Sequence, residues 1–502
     1  RSHLLHRTII PGPPGTGKTH RLMHYLDIEL KQTEPSMIAY IAFSNAAADE
    51  AKKRITNDNV IVSTMHAFGS RELQYNTATH LLKGDKWKGF KNFSNICADL
   101  SFESYINESG YPQYKNNHMK IIEYAKNKRI PLSEAALELE LHYSTDIYLT
   151  EQIEADLITY KDQTGMFEYS DMISKFVEED KCPPIHTVFL DEAQDLSPLQ
   201  WEMFFYIESK CKRSFIAGDD DQTIYTFQGA DPKIFINLKG NFDPQIKSRR
   251  VPRKIHELAE SIFPHMTQRL EKKWEPRDAE GKIYNDIMYQ DIDFSTGNWM
   301  VLTRTNKMLN ALKDHMYDLN LRFDAKQQEL LPKRMVSAYR VWTRLNQGAS
   351  VNKEELKDLW DYLTVKDGHL VRGYASNKTL DSITSINIEG LRADYGLRAA
   401  GSWETLRFPE TSKAYIKTIL NSGDDLMKPA RIKLSTIHSV KGEECDNVVL
   451  FTDLERIIYD SAQKDADPEH RTFFVGITRA KEKLFITHQD YEYQYNIGAP
   501  II

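Results

Sequence analysis

Gly12-Pro13-Pro14-Gly15-Thr16-Gly17-Lys18-Thr19 fills every position of the G-x-x-x-x-G-K-[ST] pattern. Glycines there let backbone N–H groups turn toward phosphate oxygens, and the helix that follows adds the positive end of its dipole. Lys18 reaches the β/γ-phosphates and the Thr19 hydroxyl can ligate Mg²⁺, so the chemistry indicated is that of ATP with Mg²⁺. A Gly/Pro turn before a surface helix is the plainer reading, but eight matched residues between a β-prone run and a helical one outweigh it. Asp191-Glu192 closes the apolar run Thr187–Leu190. A strand-end Asp completes an Mg²⁺ site with Thr19, and the neighbouring Glu polarises the attacking water. Taken alone, such acids equally cap helices. Gly218-Asp219-Asp220-Asp221-Gln222 follows the next such run, and Gln222 can orient water at a γ-phosphate. Tyr225 and Phe227 could stack on nucleobases, worth about 1–3 kcal/mol per base; as a lone pair they would read as core.

These groups need elements to hold them. Thr8-Ile9-Ile10 reads as a strand leading into the glycine loop, with a helix from Lys18 to about Leu30. Further runs, Met37–Ala42, Thr187–Leu190 and Ser214–Ala217, are nearly all apolar, as strands of a parallel sheet covered on both faces would be. Each runs into a polar cluster, and ligands of open α/β sheets sit beyond the carboxyl ends of the strands. A second set, Trp299–Thr303, Ile432–Ser435, Asn447–Phe451 and Leu484–Thr487, predicts a second α/β unit. The stretch 72–158 has helical spacing and no convincing strand, and 336–428 is a charged, glycine-punctuated interruption.

The chain has 502 residues, enough for about three or four compact units. With 41% hydrophobic and 27% charged residues it is neither disordered nor collagenous. A net charge of −7 excludes a uniformly basic surface while leaving room for a local basic groove. No uncharged apolar run approaches the ~18 residues of a membrane span, so no membrane partner is expected. Cys97, Cys182, Cys211 and Cys445 lie far apart without a C-x-x-C pair, which suits packing residues in a reducing compartment. The opening Arg1-Ser2-His3 reads as an added scar and not as a targeting signal.

Together these residues resemble the UvrD/Rep/PcrA-type DNA helicases of superfamily 1A. Asp191-Glu192-Ala193-Gln194-Asp195, Gly218 to Tyr225 and the glycine loop carry the likeness first. Ala42-Phe43-Ser44-Asn45-Ala46-Ala47-Ala48 is similar to the family's T-F-T-N-x-A-A segment, Ser63 to Phe68 to its T-x-H-x-F/L, and Phe167 to Met172 to its D-F-x-D-L. Ser435 to Glu444 resembles T-x-H-x-x-K-G-L-E, and Phe474 to Ala480 resembles V-G-x-T-R-A. The resemblance extends along almost the whole chain.

It implies an α/β fold of two RecA-like P-loop domains with parallel sheets, each carrying an inserted, mainly helical domain. The domains would be 1A (1–71 and 159–245), 1B (72–158), 2A (246–335 and 429–502) and 2B (336–428). ATP would lie in the cleft between 1A and 2A. Lys18, Asp191, Glu192, Gln222, Arg250 and Arg479 would be catalytic, with Arg479 as the arginine finger. Taken alone, Arg250 also reads as a solvated basic helix start, because Arg249, Arg253 and Lys254 crowd it. Gly12, Pro13, Gly15, Thr16, Gly17, Lys18, Thr19, His20, Arg249 and Glu444 would surround the nucleotide, and Thr19 and Asp191 would hold Mg²⁺. Arg249 stands where the family has an adenine-stacking Tyr, His20 where an Arg follows the loop, and Gln228 where G-W-R-G has its Arg. Phe43, Asn45, His66, Tyr225, Phe227 and His438 would line a single-strand channel; His66 reads equally as core. The function implied is 3′→5′ translocation on single-stranded DNA with unwinding of forked DNA. A translocase that strips proteins while unwinding little, or an RNA-directed helicase, is the alternative. Replication or recombination proteins are the expected partners of a monomer. The compact length suits a phage-borne enzyme in the cytoplasm of a bacterial or phage-infected cell.

Overall fold

The computed structural model describes residues 6–97, 99–106, 112–489 and 491–501; Arg1-Ser2-His3 lies outside them. By contact the chain divides into two compact units. The first comprises Arg1–Lys282, Glu455–Lys481 and Tyr495–Ile502, the second Ile283–Leu454 and Glu482–Gln494.

The apolar runs of the first unit form strands β1 (His6–Pro11), β2 (Ile38–Ala42), β6 (Thr187–Leu190) and β7 (Arg213–Gly218). Two edge strands join them, β3 (Ile61–Thr64) and β8 (Asn241–Phe242), giving the order β3-β2-β6-β7-β1-β8 with every neighbouring pair parallel. All residues of β2 and β6 are buried, as helices on both faces of a parallel sheet require. Pro11 pairs with Gly218 and Leu190 with Ile216, so the carboxyl ends of β1, β6 and β7 lie side by side. Polar residues at the carboxyl ends of β2 and β3 also start helices. Ser44 accepts from the backbone N–H of Ala47 and opens helix Asn45–Arg54, while Thr64 accepts from Ala67 and opens Met65–Glu72. Such caps are worth about 1 kcal/mol each.

The helical insertion has its own core, with Trp87, Phe90, Met119, Ile122, Ile153 and Leu157 buried together. Against the expectation of no strand, β4 (Ser104–Ile106) and β5 (Pro112–Tyr114) pair antiparallel within it. Three residues are too few to show a period in the sequence. The last helix, Ile147–Thr164, runs on into the sheet-bearing core. There the Lys161 ammonium donates to Glu168 Oε2 at 2.8 Å and to both Asp171 oxygens at 2.8 and 2.9 Å.

Residues 246–282 and 455–481, read from sequence as parts of 2A, group by contact with the first unit. Strand β9 (Lys247–Pro252), paired with β10 (Glu275–Arg277), hydrogen-bonds to the glycine loop: Arg249 N donates to Gly15 O and Ser248 Oγ to Pro14 O. In the second unit, β11 (Lys282–Tyr284), β12 (Trp299–Thr303), β13 (Phe323–Ala325), β14 (Ile432–Thr436), β15 (Cys445–Phe451) and β17 (Ala480–Thr487) form a sheet ordered β11-β17-β15-β12-β14-β13. A short antiparallel pair, β16 (Asp453–Leu454) with β18 (Tyr493–Gln494), lies outside it. The 336–428 interruption is mainly helical and buries Trp342, Leu345, Leu356, Leu359, Ile416 and Ile419 in a separate core. Among the described residues no helix is long and apolar enough to cross a membrane.

Gly69 lets helix Met65–Glu72 lie against helix Tyr169–Glu178: a Cβ there would sit 2.2 Å from Met172 O. Gly69→Ala is therefore expected to destabilise the first unit by about 1–3 kcal/mol, read as a lower midpoint in thermal unfolding.

Candidate active site

At the end of β1 the chain turns through the glycine loop into helix Lys18–Glu29. The turn needs glycine at Gly15, whose φ is 76° and whose Cβ would lie 2.6 Å from Arg250 Cβ and 2.7 Å from Ser248 Oγ. That close approach puts the backbone of Arg250 against the loop. The buried Lys18 ammonium donates to Gly12 O at 2.8 Å, and Thr16 Oγ1 donates to Pro13 O at 2.8 Å. Lys18 is thus curled over the loop mouth on a neutral carbonyl, which a phosphate oxygen would outcompete as a charge-assisted acceptor.

Thr19 and Asp191, 172 residues apart in sequence, meet here: Thr19 Oγ1 donates to Asp191 Oδ2 at 2.8 Å. Tyr40 OH, from β2, donates to the same oxygen at 2.9 Å. Burial and the adjacent Glu192 charge push the Asp191 carboxyl above its ordinary value, against the hydrogen bonds from Thr19 and Tyr40. A cation beside it would relieve both causes. The donor set of hydroxyl and carboxylate oxygens suits Mg²⁺, a hard ion that keeps oxygen ligands, so Thr19 and Asp191 are the residues that would hold it.

Glu192 is a non-glycine residue in the left-handed region, φ 53° and ψ 41°, at a cost of about 1–3 kcal/mol. From it runs an unbroken chain of hydrogen bonds. Gln194 Nε2 donates to Glu192 Oε2 at 2.6 Å, and Asp219 N donates to Gln194 Oε1 at 2.9 Å. Gln222 Nε2 donates to Asp219 Oδ2 at 2.7 Å, and Arg479 Nη2 donates to Gln222 Oε1 at 2.9 Å. Arg479, fully buried, is also held through Nε by Val475 O at 2.9 Å. Three of the residues singled out from sequence, Glu192, Gln222 and Arg479, therefore share one polar line. Its other two members, Gln194 and Asp219, stood inside the quoted motifs without a role, because side-chain relays leave no spacing signature.

The remaining candidates are placed as follows. Arg249 is exposed beside the loop, and Arg250 O accepts from Arg277 Nε at 3.0 Å. His20 is on the outer face of helix Lys18–Glu29, lining a pocket of about 250 Å³ with Met23, Asp27 and Arg54. Glu444 and His438 belong to the second unit, in the segment between β14 and β15. Phe43 and Tyr225 pack with ring centroids 5.4 Å apart, and Phe227 continues the row 6.2 Å from Tyr225. Phe43 and Tyr225 are buried while Phe227 is 50% exposed. Asn45 is exposed at the start of its helix. His66 meets Tyr169 edge-on at 5.9 Å, and burial pulls its imidazole down to about 4, so it is neutral at physiological pH.

Comparison with known proteins bears on the family. The family model described as the UvrD/REP helicase N-terminal domain matches residues 2–243, and the UvrD-like helicase C-terminal domain matches 413–491. The chain is similar to the ATP-dependent DNA helicase Rep of Buchnera aphidicola, 23% identical over 94% of this chain and 91% of that protein. It is also similar to the ATP-dependent DNA helicase PcrA of Staphylococcus epidermidis, 23% identical over 71% of this chain and 51% of that protein. Among solved structures, the helicase nonstructural protein 10 of an arterivirus aligns over 97% of this chain and 60% of its own at 10% identity. Its TM-score of 0.35 carries no argument. With both family models matched in order and the glycine loop, strand-end acids and buried arginine assembled within one unit, the chain belongs to the UvrD/Rep helicase family.

Proposed function

We propose that this UvrD/Rep-type DNA helicase hydrolyses ATP with Mg²⁺ to move 3′→5′ along single-stranded DNA and to open forked duplexes. The observation that carries the reading is the polar line from Glu192 to Arg479 beside the loop that holds Lys18 and Thr19. Phosphoryl transfer asks the protein for positioning and charge compensation more than for covalent chemistry. Lys18 would exchange Gly12 O for the β/γ-phosphate oxygens. Glu192, held by Gln194, would take the proton of the attacking water. Gln222 would orient that water, and Arg250 and Arg479 would meet charge developing on the transferred phosphoryl group. Mg²⁺ bound to Thr19 and Asp191 would neutralise β- and γ-phosphate charge.

Each Glu192 rearrangement would be felt by Gln222 and Arg479 through shared hydrogen bonds, which supports coupling of nucleotide state to the neighbouring ring row. Phe227, with Phe43 and Tyr225 behind it, would stack on bases of the strand. Polarity, and hydrolysis where two RecA-like domains meet, follow the family resemblance. So do forked DNA as substrate, the monomeric state and replication or recombination partners.

Lys18→Ala is expected to abolish ATPase activity stimulated by single-stranded DNA. Glu192→Gln is expected to lower kcat by about 10²–10⁴-fold. Both should still bind an oligonucleotide in fluorescence anisotropy; parental turnover in either would refute the site. On tailed duplexes, strand separation is expected with a 3′ tail and not with a 5′ tail, and DNA should stimulate hydrolysis more than RNA. Stimulation by DNA without separation would make the protein a strand-clearing translocase, and preference for RNA would redirect the substrate.

A further inference from the structure

Three consecutive aspartates, Asp219, Asp220 and Asp221, close β7 with no exposed surface, and their carboxylates lie within 4.8 Å of one another. Like charges at this spacing in a buried site need a cation or a proton among them. The chain supplies a cation. The Lys272 side chain, 3% exposed, brings its ammonium to 3.1 Å from Asp219 Oδ1 and 3.0 Å from Asp221 Oδ2, with Asp220 in direct contact. Arg269 forks onto Asp221 at 3.0 and 2.8 Å, and Leu270 N donates to Asp220 Oδ2 at 2.7 Å. Burial would lower the Lys272 pKa, yet the three carboxylates hold it above its ordinary range, so the ammonium stays charged. Burial pushes Asp220 up to about 6 even with Lys272 opposing it, and against the same burial Lys272 and Arg269 hold Asp221 below the ordinary carboxylate value.

The two oxygens of Asp219 have different partners. Oδ1 faces Lys272, and Oδ2 accepts from Gln222, which in turn accepts from Arg479. The clamp segment also grips the element carrying Arg479. Thr267 N and Oγ1 donate to Asp467 at 2.8 and 3.0 Å, Gln268 N donates to it at 3.0 Å, and Arg471 donates to Gln268 O. Asp467 begins the helix Asp467–Ile477 that leads into Thr478 and Arg479. One six-residue segment thus holds both sides of the Gln222–Arg479 contact.

We infer that Lys272 is a positioning residue for ATP hydrolysis, acting through Asp219 to aim Gln222 and Arg479. This rests on the function proposed above. Lys272 touches neither the glycine loop nor the Thr19–Asp191 pair, so its loss should spare nucleotide binding and slow turnover.

Lys272→Met alone would strand buried charge, so the test pairs it with Asp220→Asn, which restores the charge balance and leaves Asp219 in place. The double variant is expected to melt near the parent and to keep KM for ATP within about threefold, while its DNA-stimulated kcat falls about tenfold or more, as small misplacements of catalytic groups do. In a Gln222→Ala background the same pair of changes should cost less than about twofold more, because both then act on one path. A folded double variant with parental kcat overturns the inference, as does full additivity with Gln222→Ala. Should the double variant not fold, Asp219→Asn, which removes the charge through which Lys272 would act on Gln222, is expected to lower kcat severalfold at constant KM; unchanged kcat there overturns it equally. A parent chain without DNA-stimulated hydrolysis would bring down the functional reading and the role of Lys272 together, whereas an active parent with indifferent variants removes Lys272 alone.

Discussion

Four carboxylates buried at the ends of two neighbouring parallel strands, Asp191 after β6 and Asp219 to Asp221 after β7, set the terms on which this core can fold. Each costs several kcal/mol to remove from water unless paired and hydrogen-bonded. The two strands meet that demand differently. Asp191 is satisfied by neutral hydroxyls, from Thr19 and Tyr40, and so keeps an appetite for a cation. The β7 aspartates are satisfied by a lysine and an arginine of the chain itself, so their charge is spent on holding structure. One strand end is left reactive and the next is locked.

Between them runs the relay of Gln194, Asp219 and Gln222. Amides suit this place because each offers both a donor and an acceptor, so a relay of hydrogen bonds links Glu192 to Arg479. The left-handed backbone at Glu192 points the same way, since such strain survives where surrounding contacts over-determine it.

The use of buried charge as a rivet recurs where the helical insertion joins the sheet-bearing core. Lys161 and Lys126 converge on Glu168, and Lys161 also holds Asp171. Glu168 and Asp171 form the capping box of helix Tyr169–Glu178. Local capping and long-range attachment are thus made by the same carboxylates, which ties the start of a core helix to the end of the insertion.

Much of this was legible in the residues alone. The glycine loop, the strand-end acids and the long apolar strands are local features: eight contiguous residues, or four to seven apolar ones in a row, carry their own signal. The structure places β6 and β12 at the residues read from sequence and β1, β2, β7, β14 and β15 within a few positions. Short edge strands such as β8 and β13, and the β4–β5 hairpin, carry no such signal, because two or three residues have no period. Only the tertiary structure decided which distant groups share a charge. Nothing in Glu271-Lys272-Lys273 marks the middle residue as the partner of an aspartate 52 positions away, nor Ser248 and Arg250 as the wall that requires glycine at position 15. Sequence reports chemistry that is contiguous along the chain. Compensation of buried charge and close backbone approach depend on distance in space, which folding alone supplies.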